Sequence, residues 1–395
     1  MHDNRWLLPE GIEEILPPQA ARLEGLRREL LDLFRGWGYE LILPPFIEFL
    51  DSLLTGSGKD LELQTFKLTD QGSGRLMGVR ADITPQAARI DAHQLKREAP
   101  TRLCYLGTVL RTRTDGFGGS RAPLQIGAEL FGHYGLESDC EIICLMMETL
   151  CLAGVADVHL DLGHVGIYRG LARQAGLDDR QERALFEALQ RKALPEIRDL
   201  LAEFAVPEPL RGMLGSLAEL NGPDALQRAG QLLAEADAPV REALEYLQRI
   251  AALVHERLPE IPVHYDLAEL RAYHYQTGVV FAAFVPGSGQ EIARGGRYDH
   301  IGECFGRPRC ATGFSADLLT LMRHSGHMDN GPDRRILAPA AEDAGLRAMV
   351  AELRRQGHVV VFELPGQTAD ALAMGCTARL VAAASGWRVD ELVPT

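Results

Sequence analysis

Long uninterrupted hydrophobic runs are missing from this 395-residue sequence. Its most apolar window, Ile142 to Val155, is too short to span a bilayer and carries Glu148, so no membrane association is expected. The first residues, Met1-His-Asp-Asn-Arg-Trp6, show no charged region followed by an apolar core, and no signal peptide is predicted. Paired cysteine spacing is missing as well: the seven cysteines are an odd number and none form a C-x-x-C pair. Cys140 and Cys144 stand one helical turn apart in an apolar stretch, which predicts reduced, packed thiols in a cytoplasmic protein. Metal-ligand spacing is also lacking. His159, His164, His264 and His274 have no carboxylates or thiols in register with them, so neither a metal nor a cofactor is expected. Positive charge is in deficit: the net charge is −14 and the pI near 5.4. That balance argues against general binding to phosphate backbones, though a local basic patch stays open. No repeat, heptad pattern or low-complexity tract is present.

What remains is ordinary globular material, 46% hydrophobic and 24% charged, long enough for roughly two or three domains. A proline-punctuated lead-in, Pro9 to Pro18, precedes a helix predicted over 20–37. There Leu23, Leu26, Leu30, Leu33, Phe34 and Trp37 recur at three- and four-residue spacing, with Gly38 as a stop. Tyr39 to Glu48 reads as a strand broken by prolines. Leu76 to Arg89 reads as strand, turn and helix, with Thr84 as cap and Pro85 in the first turn. A helix is predicted over 138–154 and a strand over 158–162. From about 165 to 258 the composition turns to Ala, Leu, Glu, Gln and Arg at helical spacing, the pattern of a helical insertion. Its charge run Asp178 to Arg183 reads as a solvated helix face. Strands resume at 262–267, 279–285 and 291–294, with Gly295-Gly-Arg-Tyr-Asp299 as a turn. A strand or loop then leads into a helix ending near Met322. After a linker-like stretch from Ser325 to Asp333, strand, helix and strand patterns make a small α/β unit. The expected domains are therefore 1–325, with the insertion at about 165–258, and 334–395.

The densest chemistry lies between Leu103 and Phe131. An apolar run ends in Arg111 and Arg113, a glycine-rich loop spans Asp115 to Gly119, and a return strand runs from Pro123 to Phe131. Period two places Gln125 and Glu129 on one face of that strand. With Arg111 nearby, the face offers a carboxylate, an amide and a guanidinium, which suits a small zwitterion. An exposed hairpin with a solvated polar face is the alternative for this stretch alone.

Taken together, Pro9 to Met322 resembles the class II aminoacyl-tRNA synthetases, and within them the histidyl-tRNA synthetase line. Gly38 to Glu48 resembles the dimer-forming first motif, and Arg80-Ala-Asp-Ile-Thr84 the amino-acid-binding Arg-Pro-Glu-Gly-Thr. Tyr105 to Arg111 with Gln125 to Gly132 resembles the second motif. Leu270 to Gly278 is similar to the histidine-specific Arg-Gly-Leu-Asp-Tyr-Tyr segment, and Gly295-Gly-Arg-Tyr-Asp299 matches as it stands. The resemblance implies an α+β fold, an antiparallel sheet flanked by helices. It also implies a histidine site in which Asp82, Thr84 and Gln125 hold the α-ammonium and Glu129 accepts from the imidazole. Arg111 and Arg271 would face the carboxylate, and Tyr275 would line the ring. Gln276 stands where that family has a second tyrosine.

The departures fall on the other half of the ligand set. The third motif should end Gly-Leu-Glu-Arg, and this chain has Asp317-Leu-Leu-Thr320. Thr320 cannot replace a guanidinium at a terminal phosphate. Arg113 stands where the family reads adenine with Glu, the Asp115 to Gly119 loop has almost no cation, and the tail after Gly331 is short for an anticodon-binding domain. Losses on the ATP and tRNA side resemble the profile of a paralogous family, the regulatory subunits of ATP phosphoribosyltransferase. That likeness implies a non-catalytic chain with no catalytic residue, which binds L-histidine, pairs with itself and assembles with a short-form catalytic subunit in histidine biosynthesis. It would activate that subunit and mediate its feedback inhibition. tRNA is not expected as a partner. An active histidyl-tRNA synthetase with a divergent third motif is the alternative, and a synthetase-like protein for another amino acid or RNA a third.

Overall fold

The computed structural model describes residues 6–56, 59–114, 119–268, 275–326, 334–366, 370–384 and 386–392. The chain divides into two compact units, Met1–Gly326 and His327–Thr395.

The first unit opens with α1 (Gln19–Gly36), whose apolar stripe buries Leu23, Leu30 and Phe34. The prolines at 44 and 45 split the next segment into β1 (Glu40–Ile42) and β2 (Ile47–Phe49). Short helices α2 (Leu50–Leu54) and α3 (Lys59–Gln64) lead to β3 (Phe66–Thr69) and β4 (Leu76–Val79). β2, β4 and β3 make a small antiparallel sheet. Next come α4 (Thr84–Ile90), a π-helical turn at Asp91–Leu95, and the long pair β5 (Thr101–Thr108) and β6 (Leu124–Phe131). α5 (Leu136–Leu152) and β7 (His159–His164) follow.

The alanine- and leucine-rich stretch folds as α6 (Val165–Gln174), α7 (Asp179–Gln190), α8 (Leu194–Glu203), α9 (Leu210–Ser216), α10 (Ala225–Leu232) and α11 (Ala238–Arg257). Its charge run caps α7: Asp178 accepts from the Arg180 and Gln181 amides, and Gln181 returns a contact to the Asp178 amide. β8 (Val263–Tyr265), β9 (Val279–Phe284), β10 (Ala293–Arg297), α12 (Ile301–Cys304), β11 (Ala311–Asp317) and α13 (Leu318–His324) complete the unit. The expected turn at Gly295-Gly-Arg-Tyr-Asp299 is corrected: Gly295 and Gly296 are interior to β10 and paired on both sides, and Arg297 ends the strand, paired with Thr312 of β11.

Eight strands form one sheet in the order β1-β5-β6-β11-β10-β9-β7-β8, antiparallel except for the edge pairs β1–β5 and β7–β8. The sheet separates two cores. Cys104, Leu106, Ile126, Ala128 and Phe314 pack on one face with α1, α5 and the helical stretch. Phe34 meets Phe314 edge to face there, ring centroids 6.1 Å apart. Cys140 and Cys144 are buried free thiols on α5, 4.0 Å apart. On the other face Leu103, Tyr105 and Phe131 pack with Ile83 and Ala87 of the α4 region and with Tyr298. The second unit is a four-stranded sheet in the order β13-β12-β14-β15, from β12 (Arg335–Ala338), β13 (Val359–Phe362), β14 (Ala378–Ala383) and β15 (Gly386–Glu391). Helix α14 (Ala344–Arg355) lies in this unit and buries Leu346, Val350 and Leu353.

Candidate functional site

Sheet register assembles the site. Antiparallel pairing sets Leu103 opposite Glu129 and Tyr105 opposite Gly127. β11 sets Gly313 opposite Glu129, and β10 sets Gly296 opposite Gly313. Partners in register share a face, so Leu103, Glu129, Gly313 and Gly296 form one row across the sheet, and Tyr105 and Gly127 lie in the next row on the same face. The glycines leave room that side chains from neighbouring strands fill. A Cβ on Gly313 would lie 1.6 Å from Glu129 Oε2, one on Gly127 2.5 Å from the Tyr105 hydroxyl, and one on Gly296 2.7 Å from Gln276 Oε1.

Glu129 is 1% exposed. Its Oε1 accepts from Thr84 Oγ1 and from the Tyr105 hydroxyl, each at 2.9 Å, and its Oε2 accepts from the Tyr298 hydroxyl. Among the described residues no cation is ion-paired with it. Burial pushes the carboxyl up to about 8, against the pull of the three hydroxyls. A carboxylate has about four acceptor positions, so Oε2 retains capacity for one more donor. A cation entering here would restore the ionised form.

Thr84 does not act as the expected helix cap. Ile83 occupies that position without a side-chain bond, and the Thr84 hydroxyl turns to Glu129 and Tyr105. The Thr84 amide donates instead to Asp82 Oδ1 at 3.0 Å. Gln125 joins the two halves: its Nε2 donates to Asp82 Oδ1 at 2.8 Å, and its Oε1 accepts from the Ile83 amide at 2.9 Å. Asp82, Thr84, Gln125 and Glu129 are therefore one hydrogen-bonded set. Tyr275 stacks on Tyr298 with centroids 5.0 Å apart, and its buried hydroxyl has no hydrogen-bond partner among the described residues. Gln276 Oε1 is buried and unpartnered in the same sense. Arg271 lies outside the described residues.

Tyr105 and Tyr298 are the donors that the sequence reading did not single out. Period two could have flagged Tyr105, which faces the gap left by Gly127. Tyr298 was hidden because its segment reads as a turn.

Arg111 stands beside this set. Its Nε donates to the Ala81 carbonyl at 3.3 Å, and it lines a cleft of about 400 Å³ shared with Gln125, Arg294, Asp317 and Thr320. Arg294 is paired with Glu291 at 3.0 Å. Asp317 caps α13, accepting from the Leu319 and Thr320 amides, and takes the Thr320 hydroxyl at 2.7 Å. Thr320 is thus turned into its own helix cap. Arg113 is exposed.

Residues 11–321 match the Histidyl-tRNA synthetase family model, and residues 333–390 match the ATP phosphoribosyltransferase subunit HisZ C-terminal domain. An ATP phosphoribosyltransferase regulatory subunit from Alkalilimnicola ehrlichii is 61% identical over 380 residues, 96% of this chain and 95% of the relative. One from Thioalkalivibrio sulfidiphilus is 60% identical, covering 98% of this chain and 99% of the relative. Among solved structures, an ATP phosphoribosyltransferase regulatory subunit/histidyl-tRNA synthetase from Bacillus halodurans C superposes with a TM-score of 0.85 at 26% identity. It covers 95% of this chain and 97% of that one. The fold is that of the class II histidyl-tRNA synthetases, a large sheet flanked by helices.

Proposed function

This chain belongs to the family of ATP phosphoribosyltransferase regulatory subunits, a non-catalytic subunit carried on the histidyl-tRNA synthetase fold, and on that premise we propose that it is the histidine sensor of its enzyme complex. It binds free L-histidine, assembles in the cytoplasm with a short-form ATP phosphoribosyltransferase catalytic subunit, activates it and mediates its feedback inhibition.

The observation that carries this reading is the buried Glu129, held by three hydroxyls, with acceptor capacity left and no cation ion-paired to it among the described residues. Glu129 takes the imidazole N–H, while Asp82, Thr84 and Gln125 hold the α-ammonium. Arg111, together with Arg271, takes the carboxylate, and Tyr275 lines the ring. The neighbouring cleft does not suit a triphosphate. Its cations Arg111 and Arg294 are offset by Glu291 and Asp317, and Thr320 offers a hydroxyl already in use.

A chain with a ligand site and no reaction acts by linkage: histidine favours one state of the complex by the difference of its affinities for the two. Self-pairing is supported by an exposed apolar surface at Leu41, Leu43, Phe46, Ile47, Phe49 and Leu76, beside β1 at the open edge of the main sheet.

The test is reconstitution. The purified chain should bind histidine by calorimetry, form a stable hetero-oligomer with the short-form transferase by light scattering, and raise its rate. A transferase equally fast and equally histidine-sensitive with and without this chain would overturn the proposal.

A further inference from the structure

Behind the pocket lies a buried ionic network that the histidine reading does not use. Asp139, in the first turn of α5, is wholly buried, and Arg297 at the end of β10 is 3% exposed. Arg297 donates to both carboxylate oxygens of Asp139, Nε at 3.1 Å and Nη2 at 2.8 Å. The same guanidinium reaches Asp299 at 3.1 Å, Ser138 Oγ at 2.9 Å and the carbonyls of His133 and Gly135. A carboxylate so deep in the core needs every partner it has. One of them comes from the helical stretch: the Tyr246 hydroxyl of α11 donates to Asp139 Oδ2 at 2.5 Å. His164, whose ring meets Tyr246 edge to face at 5.8 Å, packs the other side of that phenol.

The output of the network is the pocket wall. Tyr298, next in the chain after Arg297, donates to Glu129. The Arg297 carbonyl accepts from the Thr277 amide at 2.7 Å, and Thr277 Oγ1 accepts from the Asp299 amide at 3.0 Å. Arg297 therefore anchors two walls at once: Tyr298, and the segment that carries Tyr275 and Gln276. Arg169 of α6 adds a second tie from the helices, donating to the Gln276 carbonyl at 3.2 Å.

We propose that Arg297 is the positioning residue of the ligand pocket, and that the Tyr246–Asp139 hydrogen bond is where the helical stretch 165–258 sets that position. The inference rests on the reading of the Glu129 pocket as the histidine site. Without the Tyr246 hydroxyl, Asp139 must be satisfied by Arg297 and its neighbours alone. The guanidinium then shifts, and Tyr298 moves with it at Glu129. Tyr246 acts through Arg297, at no point touching the ligand.

Calorimetric titration of the full chain with L-histidine tests this. Tyr246→Phe should weaken binding about threefold to tenfold, the range seen for residues coupled to a site they do not contact. Tyr168→Phe is the control. That hydroxyl is bonded at 2.5 Å to the Glu182 carbonyl, in the same helical stretch. It should lower the melting temperature comparably and leave affinity within about twofold of wild type. Ser138→Ala, which removes another anchor of Arg297, should weaken binding in the same direction and serves if Tyr246→Phe does not fold. Wild-type affinity in Tyr246→Phe, or equal weakening in both tyrosine variants, overturns the inference and leaves the histidine site standing. A wild-type chain that does not bind histidine removes the site itself, and this inference with it.

Discussion

Two neighbouring regions of one sheet, the Glu129 pocket and the Arg111 cleft, share Gln125 and differ in how their polar groups are spent. At Glu129 a buried acid is held by three hydroxyl donors with no ion pair among the described residues, and the glycines beside it make room for the side chains of the cluster. In the cleft most polar groups are spent within the protein: Arg294 on Glu291, and Asp317 on its own helix terminus and the Thr320 hydroxyl. The first arrangement holds a buried carboxyl with no ion pair among the described residues, and in the second the carboxylates are already engaged, which leaves Arg111 to the proposed histidine carboxylate. On the proposed reading, a histidine site and a cleft that no longer suits a nucleotide lie side by side, which is how a synthetase scaffold would serve a sensor.

The largest effect should come from filling the pocket floor. Gly313→Ala would place a methyl 1.6 Å from Glu129 Oε2 and 2.8 Å from the Ala128 carbonyl oxygen, so Glu129 must leave its three hydroxyls and the backbone must give as well. Histidine binding should fall about a hundredfold or more by calorimetry, with circular dichroism near wild type; unchanged affinity would mean that the pocket lies elsewhere. Next, Glu129→Ala removes one charged hydrogen-bond partner, roughly 1.5–3 kcal/mol, or about tenfold or more in affinity. In the reconstituted complex it should blunt histidine inhibition without disturbing assembly, as read by light scattering and a phosphoribosyl transfer assay.

A smaller effect is the pH profile of stability. Glu129 is raised from 4.5 to about 8, so the native state keeps a proton that the unfolded chain gives up. Stability from this group therefore falls as pH rises through that window. His164, buried, is lowered from 6.5 to about 4, so stability falls as pH drops through that one. The two trends oppose each other. Thermal melts should show Glu129→Gln flattening the decline between about pH 4.5 and 8, and an unchanged decline there would contradict the burial assigned to Glu129. The smallest effect concerns the cleft. Thr320→Arg restores one cation among polar groups mostly spent within the protein. It should leave histidine affinity within about twofold and produce no histidine-dependent pyrophosphate exchange. Exchange well above background, in wild type or variant, would show that the cleft is still competent.

Much of this was legible in the sequence, and the failures have physical causes. Period two in Gln125-Ile-Gly-Ala-Glu129 placed both polar residues on one face, and the structure puts them in one hydrogen-bonded set. The Gly295-Gly pair misled because glycine ordinarily weakens a strand. Here it admits close neighbours: a Cβ on Gly295 would lie 2.4 Å from the Phe281 ring. Thr84 looked like a helix cap because hydroxyls satisfy free amides, but a buried carboxylate is the stronger acceptor. In the second unit β14, Ala378-Arg-Leu-Val-Ala-Ala383, was missed because its alanines favour helix, and its pairing with β15 and β12 overrides that preference.

α5 has one further consequence. Twelve of its seventeen residues are buried, on nearly every side, and it touches α1, α11 and the strands β6, β9, β10 and β11. Its only solvent-facing stripe is narrow, with Glu137, Glu148 and Cys151 exposed, so little of the helix can fray alone. Its amides can exchange with deuterium only when the sheet and the helical stretch open together. The interior of α5 should therefore set the slowest exchange rate of the first unit. The helical stretch 165–258, for all its length, should melt in the same cooperative step as the sheet, with no separate transition of its own.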